Sequence, residues 1–178
     1  MSAYLIAIDG TDASGKATQT ALLAQRLKGD GINVLEVSYP NYNSPSSGPV
    51  KMYLEGALGK KAEDTDAYAA SVLFAVDRFA SFRAEWKEFY ERDDYVILLN
   101  RYTTANAVHQ LSKIDDEAEK EKFIDWLFDF EYRLLGIPAP DLVTVHRHPV
   151  KAAPVGTGQT PVKGYPKTPL LRRLTRTN

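Results

Sequence analysis

The stretch Tyr4-Leu-Ile-Ala-Ile-Asp9-Gly10-Thr-Asp-Ala-Ser-Gly15-Lys16-Ala17-Thr18 decides the fold. Tyr4–Asp9 is a short apolar run with a polar stop, the pattern of a strand buried on both faces. The Gly10–Gly15 segment is rich in Gly, Asp and Ser and reads as a loop. Lys16–Lys28 reads as a helix with Leu22, Leu23 and Leu27 on its apolar side, ended by Gly29 and Gly31. The loop matches G-x-x-x-x-G-K, and the strand before it and helix after it are the context that makes the match specific. Glycines let backbone N–H groups turn inward around a phosphate, a helix N-terminus adds partial positive charge, and Lys16 supplies a mobile cation. Gly10, Asp12, Ala13, Ser14, Gly15, Lys16, Ala17 and Thr18 are therefore the candidate phosphate loop. Ala17 stands where the motif calls for a Ser or Thr that ligates Mg²⁺. Thr18 is next, but one helical step turns its side chain by about 100°.

Outward from the loop, strands and helices alternate. Ile32–Ser38 is a second strand, and Tyr39–Pro49 is loop. Pro49 suits the first position of a helix reaching to about Gly56. Thr65–Tyr90 is a long helical pattern in which Val72, Leu73, Val76, Phe79, Trp86 and Phe89 recur every three to four residues. Tyr95–Leu99 is another doubly buried strand, and Thr103–Leu111 is helical. Asp115 or Asp116 caps a helix ending at Gly136, with Phe123, Trp126, Leu127, Phe130 and Leu134 on one face. Leu142–Val145 begins a fourth strand. This alternation predicts an α/β fold of three layers, a parallel sheet flanked by helices.

Composition sets limits. The chain has 178 residues and no cysteine, so disulfides, thiolate metal sites and cysteine nucleophiles are excluded. No apolar run approaches the roughly 20 residues that span a bilayer. The N-terminus carries no basic leader segment, so the expected setting is cytoplasmic. The formal charge of −1 conceals a split. Residues 1–143 hold 15 basic and all 23 acidic residues, net −8, whereas residues 144–178 hold seven basic and none acidic, with five of the ten prolines. Residues 1–149 read as the globular body, and 150–178 as a basic, Pro-rich tail expected to be disordered. A body this acidic is not expected to bind nucleic acid.

Four segments carry a resemblance to one family. They are the phosphate loop through Thr20, Leu73-Phe74-Ala-Val-Asp77-Arg78, Arg101-Tyr102-Thr-Thr-Ala-Asn106 and Leu135-Gly-Ile-Pro-Ala-Pro-Asp141-Leu142. In this order and spacing they resemble bacterial thymidylate kinase, over residues 3–143. The resemblance implies a P-loop nucleoside monophosphate kinase fold, usually a homodimer through its long helices, that uses ATP with Mg²⁺ to phosphorylate dTMP. It implies Lys16 and Arg101 as catalytic residues, with Arg101 on the acceptor phosphate. Asp12 would accept from the 3′-OH, Phe74 would stack on thymine, and Arg78 would donate to a thymine carbonyl. Asn106 would meet the base edge. His109 would lie by the sugar, where its ring disfavours a 2′-OH.

The chain also departs from that family. Asn100 stands where the family has Asp beside the metal, which leaves Asp9 as the candidate metal-side carboxylate. The loop positions Thr11, Asp12, Ala13 and Ser14 include no base, so the cations on the transferring phosphoryl group must come from a later lid. After Val143 the family's last strands and lid are missing or replaced. Dropping one base at codon 143 permits the string Tyr-Ile-Asp-Ile-Pro from the codons of residues 145–150, the strand the resemblance anticipates. Three alternatives stay open: a kinase of another nucleoside monophosphate, a nucleotide-binding remnant without turnover, and nucleic-acid binding through the tail.

Overall fold

The computed structural model describes residues 2–10 and 14–146. Asp12 and Ala13 of the phosphate loop, and the tail expected to be disordered over 150–178, lie outside the described residues. Four strands form one sheet: β1 (Tyr4–Gly10), β2 (Asn33–Ser38), β3 (Tyr95–Asn100) and β4 (Leu142–His146). All pairings are parallel, in the order β2-β3-β1-β4. Ile8 sits opposite Asn100, and Gly10 opposite His146. Asp141 pins the start of β4: its backbone N–H donates to the Leu5 carbonyl at 2.9 Å and its carboxylate accepts from the Leu5 N–H at 2.8 Å.

Both faces of the central strands are covered, which is why they read as continuous apolar runs. Leu5, Ala7, Ile97 and Leu99 pack on one side with Tyr39, Phe82, Trp86, Tyr102 and Ile137. Ile6, Ile8 and Leu98 pack on the other with Leu23, Ala24 and Leu27 of α1 (Lys16–Gly29). Leu22, expected on that apolar side, is 53% exposed. Leu23 and Leu27 share a helix face four residues apart, and Leu22 points a third of a turn away.

Five more helices complete the layers: α2 (Gly48–Leu54), α3 (Ala67–Ser81), α4 (Lys87–Tyr90), α5 (Thr103–Leu111) and α6 (Glu117–Phe128). Pro49 falls in the first turn of α2, as expected. A π-helical turn, Phe82–Trp86, joins α3 to α4, and another, Asp129–Leu134, prolongs α6. Asp116, one of the two candidates, caps α6 by accepting from the Glu119 N–H at 2.8 Å. Phe123, Ile124 and Leu127 of α6 meet Ala67 and Ala107, tying α3, α5 and α6 into one unit beside the sheet.

The α3 stripe does not face as a single apolar surface. Its buried residues are Ala67, Ala70, Ser71, Ala75, Asp77, Arg78 and Ser81, whereas Val72, Val76 and Phe79 are exposed. Polar side chains on the inner face find partners in the interior, which frees the apolar ones to point outward.

Candidate active site

The connection leaving β1 leads to β2, across β3, whereas the connection leaving β3 leads to β4, across β1. The strand order therefore reverses between β1 and β3, and open α/β sheets bind ligands at the carboxyl ends of strands at such a point. Asp9 and Gly10 end β1 there, and Asn100 and Arg101 end β3.

Gly10 has φ 152°, and a Cβ on it would lie 2.4 Å from the His146 carbonyl oxygen. Gly15 caps α1 at φ 80°. Lys16 opens the helix, 8% exposed, and its Nζ donates to the Gly10 carbonyl at 3.3 Å. The lysine thus folds back over the loop that its own helix terminates. Ser14 Oγ is buried with no hydrogen-bond partner among the described residues. Ala17 and Thr18 are exposed, and Thr20, buried below them, donates to the Lys16 carbonyl at 2.9 Å.

Asp9 is 3% exposed. Its Oδ2 accepts from the Thr104 hydroxyl of α5, and its Oδ1 has no hydrogen-bond partner among the described residues. Burial pushes its carboxyl above the usual carboxylate range, against the opposing pull of the Thr104 hydroxyl, the Tyr102 N–H, Lys16 and Arg101. Lys16 and Arg101 therefore act on one buried carboxylate, from α1 and from the end of β3. Arg101 has a left-handed backbone, φ 60°, unusual for a residue with a Cβ. Its N–H donates to the Ile8 carbonyl at 3.2 Å, and its Nη1 lies 3.3 Å from His109 Nε2. Asn100 donates from Nδ2 to Ser38 Oγ at 2.9 Å, leaving Oδ1 buried and unpaired.

The remaining candidates lie on α3 and α5, which pack together. Phe74 is half-buried and meets Tyr53 edge-on, centroids 6.0 Å apart. Asn106, 5% exposed, donates to the Ser71 carbonyl at 3.4 Å and leaves Oδ1 unpaired. Gln110, one turn along α5 and 3% exposed, has an unpaired Oε1 as well. Sequence reading missed it, although its spacing of four from Asn106 puts it on the same face.

Arg78 does not pair with its neighbour Asp77. It is 2% exposed, and its Nε and Nη2 each donate at 2.6 Å to the Glu131 carboxylate, itself 0% exposed. Burial works against the guanidinium charge, but Glu131 outweighs it and holds Arg78 above its ordinary pKa. Thr103 adds a third hydrogen bond to Glu131 at 3.0 Å. Asp77 instead accepts from the Asn41 N–H and the Ser46 hydroxyl, anchoring the segment after β2. Neither Glu131 nor its role was visible in the sequence, because it sits 53 residues from Arg78 in a π-helical turn.

The donor set fits a lightly held Mg²⁺. Asp9 Oδ1 and Asn100 Oδ1 are orphaned oxygens at the ends of neighbouring strands, Ala17 offers no oxygen, and no cluster of three or more His, Cys, Asp or Glu occurs among the described residues. Mg²⁺ takes one or two protein oxygens and fills its shell with water and phosphate. A groove of about 440 Å³ beside the edge strand β2, lined by Val37, Pro40, Asn41 and Trp86 among others, contains none of the candidate residues.

Comparison with known proteins shows the family. The family model for thymidylate kinase matches residues 8–144. Thymidylate kinase of Mycobacterium tuberculosis (strain CDC 1551 / Oshkosh) is 30% identical over 138 residues, 77% of this chain and 62% of that protein. Thymidylate kinase of Afipia carboxidovorans is 32% identical over 147 residues, 82% of this chain and 59% of that protein. A solved thymidylate kinase from Candida albicans superposes with TM-score 0.60 at 22% identity, covering 82% of this chain and 63% of that one. The chain thus spans about six-tenths of the length of these relatives. No helix among the described residues is long and apolar enough to cross a membrane. With the family model matching residues 8–144, the chain belongs to the thymidylate kinase family.

Proposed function

We propose that this chain phosphorylates dTMP to dTDP with ATP, in the cytoplasm, as a homodimer. The observation that carries the proposal is the placing of Lys16, held on the Gly10 carbonyl at the end of β1, and of Arg101 at the end of the neighbouring strand β3, beside the α3–α5 pair. One phosphate-binding element there faces a second cation on a neighbouring strand, the arrangement that transfer between two phosphates requires.

The nucleophile is an oxygen of the acceptor phosphate, already ionised at neutral pH, so no general base is needed. Catalysis is alignment and charge stabilisation. Lys16 would leave the Gly10 carbonyl for the ATP phosphates, cradled by the loop amides from Gly10 through Thr18. Arg101 would hold the acceptor phosphate. Phe74 would stack on thymine, and the unpaired Asn106 Oδ1 would accept from a base N–H. Arg78, clamped by Glu131 through Nε and Nη2, keeps Nη1 for a base carbonyl. Asp12 would accept from the 3′-OH. Asp9 and Asn100 would help hold Mg²⁺ together with water and nucleotide oxygens, and the ion would supply neutralisation of phosphate charge.

A second reading is favoured by Ala17 and Asn100: nucleotide binding without turnover. A coupled ADP-release assay over a panel of nucleoside monophosphates, paired with calorimetric dTMP binding, separates the two. The proposal requires dTMP-dependent ADP release exceeding that with other acceptors. Binding of dTMP without release identifies a remnant, and preference for another acceptor identifies a different kinase.

A further inference from the structure

We infer that His109 is a phosphate-binding residue that works as a pair with Arg101, so that its ring meets the acceptor's phosphomonoester group and not the 2′ position of the sugar. This rests on the acceptor-site reading above and adds a ligand to it.

The observation is a close approach of two nitrogen groups from different elements. Arg101 Nη1 and His109 Nε2 lie 3.3 Å apart, one at the end of β3 and the other in the second turn of α5. A guanidinium has only donors and stays charged, so Nη1 donates and Nε2 accepts. The imidazole that receives it then carries its proton on Nδ1.

Backbone geometry argues that the placement is built in. Arg101 holds a left-handed φ of 60°, a costly conformation for a residue with a Cβ, and such strain concentrates where a side chain must be aimed. The next residue, Tyr102, is buried and donates from its hydroxyl to the Pro138 carbonyl at 2.9 Å, which fixes the chain immediately after the strained position. Asn106 and Gln110 bury the inner face of α5, and His109 stays on its exposed side, open to an anion arriving from solvent.

A phosphomonoester offers three terminal oxygens. When one arrives, Nη1 exchanges the ring nitrogen for an oxygen, and the ring gains a proton at Nε2, taken from solvent or relayed from Nδ1 through water, and donates it to a neighbouring oxygen. Both the Nε2–H tautomer and the imidazolium donate at that atom. The two donors thus form a fork whose arms come from β3 and α5. For Nη1 the charged oxygen is a stronger acceptor than the ring nitrogen it replaces, and Nε2 gains a charge-assisted bond.

Two variants at this exposed position separate the phosphate from the sugar. His109→Phe keeps a ring of similar bulk and removes the donor. His109→Gln removes the ring and keeps a donor. Calorimetric titration of the full chain uses dTMP, thymidine and the 2′-hydroxylated analogue of dTMP. The expected result is a loss of about tenfold or more in dTMP affinity for His109→Phe, the size of one charge-assisted hydrogen bond, with thymidine affinity unchanged. His109→Gln should recover much of that loss. If His109→Phe binds dTMP like the wild type, or if dTMP and thymidine weaken together, the inference fails while the kinase reading stands. If His109→Gln gains the 2′-hydroxylated nucleotide and His109→Phe loses nothing, the ring is a sugar sieve instead. If the wild type binds neither dTMP nor thymidine, the acceptor reading itself falls. Inorganic phosphate then decides the pair alone: saturable binding lost in His109→Phe supports it, and indifference to the substitution overturns it.

Discussion

Gly10 and Lys16 show how tightly single side chains are specified in the phosphate loop. A Cβ at Gly10 meets two obstacles, a φ of 152° and the His146 carbonyl oxygen at 2.4 Å, and that oxygen belongs to the backbone of β4 and cannot rotate away. Gly10→Ala is therefore expected to cost about 1–3 kcal/mol. Equilibrium urea unfolding measures it, and a midpoint equal to that of the wild type would sink the idea. Lys16 differs, because its buried stem can be matched by an apolar side chain, while its ammonium makes one long hydrogen bond to the Gly10 carbonyl in the free protein and meets the phosphates when nucleotide binds. Lys16→Met should leave the unfolding midpoint nearly unchanged and lower dTMP-dependent ADP release by about 100-fold or more. Turnover surviving at near wild-type level would remove Lys16 from the mechanism. Both residues were legible in the sequence, because the loop motif is local and its neighbours in the chain are its neighbours in space. Thr104, which binds Asp9 across 95 residues, was not, since nothing local marks a partner that only folding supplies.

Elements were easier to read from the sequence than the faces they present. Apolar runs, proline and cap residues placed β1, β3, α2 and the start of α6 within a few residues, because each signal acts on its own backbone. The inward face of α3 escaped, because its burial depends on partners elsewhere in the chain. The clearest case is the Arg78–Glu131–Thr103 network, which links α3, α5 and the π-helical turn after α6. A π-turn packs one residue more per turn than the helix before it, which re-aims the side chains it carries. Here it carries Glu131 in full burial. Removing one partner of such a pair leaves an uncompensated charge, so Glu131→Ala should destabilise by about 3–5 kcal/mol. Replacing both, as Arg78→Met with Glu131→Leu, should recover most of that stability while still weakening nucleotide binding. Urea midpoints for the single and double variants decide it, and equal losses in both would refute the buried-charge account. At the other end of α6, the Asp116 cap supports a single exposed turn, and Asp116→Ala should cost only about 1 kcal/mol in the same measurement.

The whole molecule raises the question of what covers α3. Val72, Val76 and Phe79 recur at four and three residues and are 36%, 43% and 37% exposed, a stripe along a helix whose other face is buried. Residues 1–143 carry −8 and residues 144–178 carry +7, so two routes to self-association exist: apolar contact between helices, or attraction between the basic segment and an acidic body. They respond oppositely to salt. Charge attraction collapses as the screening length shrinks from about 10 Å at 0.1 M to about 3 Å at 1 M. Apolar burial does not. The stripe favours the first route, and a homodimer pairs it with an identical stripe through one two-fold contact. Light scattering on the eluting protein should give twice 19.8 kDa, with a mass that holds as salt is raised. Val76→Glu places a charge at the centre of the stripe and should return the mass to a single chain without lowering the urea midpoint of the isolated subunit. A dimer that dissolves in high salt and ignores Val76→Glu would assign the contact to the basic segment, and a monomer at every concentration would leave α3 uncovered in solution.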